Sequence, residues 1–280
     1  MLRYVTFVFA ISLCYLTGGS PHVAFAQDAF KNKLRDLDRM RTEKTRDDPI
    51  DYDAVEKRGK ELLAEFTAPE EQGQIYFHLV EIHGMTGMVH PDLVIQHAQS
   101  ALALVTHPFQ RLWLYVYWGG ATRSANEHKP IEKQEPFFQM RRVAVKPYLL
   151  GLKEAQKYNV PDEMPSLPKG GNMLYDVTAP EGSPEYKQLQ ELKKKNDEQI
   201  AARQEAQYSR KLWIEHQALL NGVVELYSRP PYAASELREM ATQILDNPKQ
   251  VDALMKRIEA NGALKDDPIP EKTNAAAQNR

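Results

Sequence analysis

Apolar residues recur at helical spacing along most of this chain, and between Asp53 and about Ala125 the pattern repeats itself. At an offset of 39 residues, Asp53/Asp92, Val55/Val94, Leu63/Leu102, Ala64/Ala103, Thr67/Thr106 and Pro69/Pro108 fall in register. Beyond the prolines the match continues through Ile75/Leu114, Tyr76/Tyr115, Phe77/Val116 and Leu79/Trp118. A fixed period between ~20 and 50 residues marks stacked supersecondary units. Within each copy, Val55, Gly59 and Leu63, or Val94, Ala98 and Leu102, are spaced to share one helix face, with a small residue where a neighbour approaches. Pro69 and Pro108 suit the first turn of a following helix, and Thr67 and Thr106 stand just before them as candidate caps. The pattern predicts helices over 52–66, 69–83, 92–105 and 108–125, with a loop through Gly84, Gly87 and Pro91. Leu112 to Trp118 would fit a buried strand equally well, and only its register with Gly73 to Leu79 assigns it to a helix.

The same periodicity extends in both directions. Phe30, Leu34, Leu37 and Met40 form a thin stripe among charges, followed by a charged linker ending at Pro49. Pro136 to Tyr158 is helical in pattern but carries Pro147 at its centre, which predicts a kinked helix or two short ones. Five prolines and three glycines between 159 and 184 exclude a regular element of useful length there. A long helix is predicted from Glu185 to about Ser228, its first half polar and projecting, its second apolar and packed. Short helices follow over 235–245 and from Pro248 to Asn261-Gly262. In the second of these, Val251, Leu254, Met255 and Ile258 form a clean stripe. The polar stretch from Lys265 to Arg280 is expected to be disordered.

Composition changes this picture mainly at the N-terminus. Arg3, an apolar run from Tyr4 to Leu16 and Ala24-Phe25-Ala26 have the form of a secretory signal ending at residue 26. The run is too short to span a bilayer, so no transmembrane segment is expected after cleavage. Removing the signal also removes Arg3, leaving 35 basic against 38 acidic residues from the 36 and 38 of the whole chain. That balance argues against a nucleic-acid partner. The single cysteine, Cys14, lies in the signal. A chain exported without disulfides fits a bacterial envelope, periplasmic or extracellular.

Candidate chemistry is sparse. Five histidines fall between 78 and 107: His78, His83, His90, His97 and His107. His78 and Glu81 have metal-ligand spacing on one helix, and His97 on the next could approach them. His78 and His83, five apart, do not share a face. The repeat register sets His78, His83 and His97 opposite Tyr117, Thr122 and Arg58, which favours packing or surface roles. Trp113, Tyr115, Tyr117 and Trp118 form the densest aromatic cluster, flanked by Arg111 and Arg123. It serves either the core or a concave ligand surface. No nucleophile motif, phosphate loop or metalloprotease motif is present.

Ala64 with Pro69, and Ala103 with Pro108, occupy the spacing of the closing alanine and terminal proline of tetratricopeptide-type helical hairpins, which this stretch loosely resembles. The period is 39 where that family uses about 34, and Leu79 and Trp118 stand where a small residue is expected. The resemblance implies a TPR-like array and, by analogy, peptide or protein binding on a concave face. Taken together, the sequence predicts an all-α protein. Its parts are a signal (1–26), a helix and linker (27–50), a helical-hairpin array (51–158), a Pro/Gly-rich connection (159–184), a long helix with two short ones (185–262) and a tail (263–280). The expected role is protein or peptide binding, or scaffolding, in the envelope, with no cofactor, through Tyr76, Tyr115, Tyr117, Trp118 and Arg111. The alternatives are a metal-dependent or hydrolytic enzyme using His78, Glu81 and His97, and a homodimer formed through the helix over 185–228.

Overall fold

The structure, a computed structural model, describes residues 21–42, 50–85, 87–168, 179–262 and 266–267. It is all-helical among the described residues, with a single isolated bridge between Ala233 and Asp266. The helices are α1 (Pro21–Thr42), α2 (Tyr52–Glu65), α3 (Pro69–Met85), α4 (Pro91–Leu104), α5 (Pro108–Glu127), α6 (Phe137–Ala155), α7 (Pro184–Tyr227), α8 (Ala234–Leu245) and α9 (Pro248–Ala260). The expected linker after α1 lies outside the described residues. The expected cleavage point, between Ala26 and Gln27, falls within α1.

Helices α2 to α6 pack in succession, α1 lies on α2 and α3, α7 packs on both α5 and α6, and α8 packs on α9 and α6. In α2 the stripe is Val55, Gly59 and Leu62; in α4 it is Val94, His97, Ala98 and Ala101. Thus Leu62 rather than Leu63 completes the buried face. A Cβ on Gly59 would lie 2.9 Å from Leu79, so the small residue is required by the approach of α3. Thr106 does not cap α5, whose N-cap is His107 with no side-chain cap bond, and at the start of α3 Gln72 N–H donates to the carbonyl of Ala68 at 3.0 Å. Three apolar clusters follow one another along the chain. The first joins Leu37 of α1 to Val55, Leu62, Ile75 and Ile82, the second joins α3, α4 and α5, and the largest joins α5 through α9.

Pro147 does not divide α6, which runs unbroken from Phe137 to Ala155. The proline removes one ladder bond, to the carbonyl of Val143, and Val143 lies on the exposed side of the helix. The residue after Pro147, Tyr148, fills the junction of α5, α6 and α7: a Cβ on Gly119 or Gly222 would lie within 2.5 Å of its ring. Burial there pushes the Tyr148 hydroxyl up to about 12. Farther along, the fully buried Arg141 donates to the carbonyl of Pro231, lies 4.9 Å over the Tyr227 ring and sits 3.5 Å from Glu236. The Tyr227 hydroxyl donates to the same carboxylate at 2.7 Å. These bonds tie the start of α8 to α6 and α7. In the stretch expected to be disordered, Asp266 and Asp267 are instead held against α8: Ser235 N–H donates to Asp266 at 2.9 Å and Tyr232 N–H to Asp267 at 3.0 Å. A carboxylate at a helix N-terminus meets both its unpaired N–H groups and its dipole.

Candidate functional site

The buried polar residues of the first three helix packings converge at one point. Asp51 caps α2 by accepting from Ala54 N–H at 2.9 Å, which fixes the first turn and sets Glu56 beside the buried Val55. Helix α3 is covered on several sides, so His83 is wholly buried among Leu79, Val80 and Ile82. On α4, His97 occupies the buried stripe itself and is 5 % exposed. The Nε2 atoms of His83 and His97 lie 2.9 and 2.7 Å from a single oxygen of Glu56. Facing a carboxylate, each Nε2 carries its proton and donates. The rings lie 6.0 Å apart, and stacking partners hold them: Tyr52 on His83 at 5.2 Å and Tyr76 on His97 at 5.8 Å.

Burial pushes the Glu56 carboxyl up, but the bonds from His83 and His97 outweigh it and hold the carboxyl well below its ordinary range. The Nδ1 atoms of both histidines are buried with no hydrogen-bond partner among the described residues. Glu56, His83 and His97 each place a donor atom within 4.8 Å of the other two.

The residues singled out from sequence are distributed differently. His97 is in the cluster, whereas His78 pairs with Glu81 along α3 at 3.2 Å. Periodicity gave no sign of Glu56, and the 39-residue register set His83 opposite an ordinary threonine. The available signal was a histidine inside an otherwise apolar buried stripe, Val94-His97-Ala98-Ala101. The aromatic residues pack: Trp113 stacks on Tyr117 at 3.8 Å, and Tyr115 lies parallel to Trp118 at 6.1 Å. Tyr76, Tyr115, Tyr117 and Trp118 are all half-buried against the core clusters. Arg111 is engaged within the fold. It donates to Glu154 at 2.7 Å and to the carbonyls of Leu102 and Val105 at 2.8 and 2.7 Å, closing the C-terminal end of α4.

Comparison with protein families, curated proteins and solved structures finds no match. Function is therefore argued from geometry alone. Besides the cluster, one surface stands out. Residues 190–205 of α7 are exposed save for the half-exposed Asn196, while from Leu212 onward the helix enters the core. Leu192 and Ile200 are 52 % and 44 % exposed on this segment. No described helix is long and apolar enough to cross a membrane.

Proposed function

We propose that this chain is an exported helical-repeat protein that binds a protein or peptide partner in the cell envelope, its paired helices α2 to α5 serving as the scaffold. The observation that carries the proposal is the exposed segment of α7. Sixteen residues of continuous helix span about 24 Å, and a helix this polar gains little stability from its own propensity in water. Its mixed charges, with Lys193, Lys194 and Lys195 set against Glu191, Asp197 and Glu198, suit a rim around the exposed Leu192 and Ile200. That arrangement of apolar anchors within a polar surround is how helices present themselves to partners. This reading takes α7, rather than the packed aromatics of α5, as the partner surface.

A Leu192→Glu/Ile200→Glu variant tests this. Both positions are exposed, so the variant keeps its circular dichroism spectrum and thermal midpoint. It is expected to lose the partners that the wild-type chain recovers from envelope extracts under cross-linking. Recovery of the same partners by both proteins would remove α7 as the docking surface. A second copy of the chain is the other candidate for this helix, and a monomer by light scattering at high concentration would remove it.

A further inference from the structure

We propose that Glu56, His83 and His97 form an exchangeable site for a divalent transition metal of the zinc class. Three donors on three helices, two imidazole nitrogens and one carboxylate oxygen, converge within 4.8 Å. Two nitrogens and one oxygen suit zinc and its neighbours and do not suit magnesium or calcium, which take oxygen ligands. Bond lengths of ~2.0–2.2 Å around a tetrahedral ion separate its ligand atoms by ~3.3 Å. The nitrogens now stand 2.7 and 2.9 Å from the Glu56 oxygen, so the carboxylate must retreat by roughly 0.5 Å to admit the ion on that geometry.

That movement falls on the group best able to make it. The Glu56 side chain is 15 % exposed, while His83 and His97 are buried and stacked on Tyr52 and Tyr76. Coordination through Nε2 transfers each ring proton to Nδ1. Neither Nδ1 has a partner among the described residues to accept a hydrogen bond from that new N–H. Ligand histidines normally donate this second N–H, and its absence weakens affinity by about 10–100-fold. The site therefore holds its ion reversibly, with a fourth position left for water or another small ligand. The ion would also staple α2 to α3 and α4, adding stability in proportion to occupancy. None of this depends on what α7 binds.

The test is equilibrium dialysis of the purified full chain against zinc or cobalt(II) chloride, with metal content measured by mass spectrometry and cobalt by its visible d–d absorption. One ion per chain is expected, with the intense bands of a tetrahedral centre. Glu56→Gln keeps an acceptor for both histidine N–H groups, so it folds, and it should bind about 100-fold more weakly or worse. His97→Gln should behave alike, and His78→Ala should bind as wild type. The proposal is overturned if the folded wild type takes up no ion, or if Glu56→Gln and His97→Gln retain wild-type affinity. It is overturned equally if His78→Ala is the variant that loses the ion.

Discussion

Glu56, between α2, α3 and α4, and Glu154, at the end of α6, are both carboxylates kept ionised against the pull of burial, and their partners differ in kind. Glu154 is met by Arg111 at 2.7 Å, Lys157 at 2.8 Å and the Tyr158 hydroxyl at 2.6 Å. Burial opposes its ionisation, but these bonds outweigh it and bring the carboxyl to about 2. Two of the three partners carry permanent charge, and Nη1 of Arg111 donates to the carbonyls of Leu102 and Val105 at the α4–α5 connection. The arrangement is closed. Among the described residues, the Glu56 carboxylate is met by the imidazoles of His83 and His97, and imidazole nitrogens are also common metal ligands. The lesson is that a closed set of permanent charges fixes helices in place, whereas a carboxylate paired with histidines is free to trade its partners' protons for something else.

The largest expected effect is at the closed set. Arg111→Ala leaves Glu154 buried without its strongest partner and should destabilise the fold by about 3–5 kcal/mol in urea denaturation. Arg111→Lys should recover little, because a single ammonium cannot reach a carboxylate and two carbonyls as the guanidinium fork does. A loss below about 1 kcal/mol for Arg111→Ala would erase the contrast with Glu56. Next comes acid. Glu154 ionises near 2 in the folded chain against 4.5 as its ordinary value. Its contribution is therefore complete above about pH 4.5 and is lost as pH falls toward 2. Stability measured across that window should drop by on the order of 2 kcal/mol more in the wild type than in Glu154→Gln. At the open set, Glu56→Gln without metal should cost only about 1–2 kcal/mol, since the histidines keep a neutral acceptor. The smallest effect belongs to α7, where Leu192→Glu should shift stability by less than ~0.5 kcal/mol.

Much of this architecture could be read from apolar spacing. The bounds of α2 to α5, α8 and α9 fall within about two residues of the pattern's prediction, because each of these helices has a stripe and a proline or glycine at its ends. The stripe Val251, Leu254, Met255 and Ile258 is buried at every position. Of the two readings of Pro147, the pair of short helices is excluded, because α6 is one helix with the proline inside it, and the sequence does not say whether a lost ladder bond falls on a face where it is tolerable. Asp266 and Asp267 misled because their partners, Ser235 and Tyr232, lie over thirty residues away. The cluster was only half legible. His97 announced itself within an apolar stripe, but Glu56 to His83 and Glu56 to His97 are contacts between helices, separated by 27 and 41 residues. Helical periodicity carries no information at that range. Arg111 shows the same limit, since a flanking charge in sequence turned out to be an internal clamp.

The most direct measurement is a crystal structure of the full chain grown with zinc, with data collected on both sides of the zinc absorption edge. The account predicts one anomalous peak at ~2.0–2.1 Å from the Nε2 atoms of His83 and His97, with an oxygen of Glu56 at ~2.0–2.2 Å. A peak at His78 and Glu81 instead, or fully occupied zinc elsewhere while both imidazoles still donate to Glu56, would contradict it.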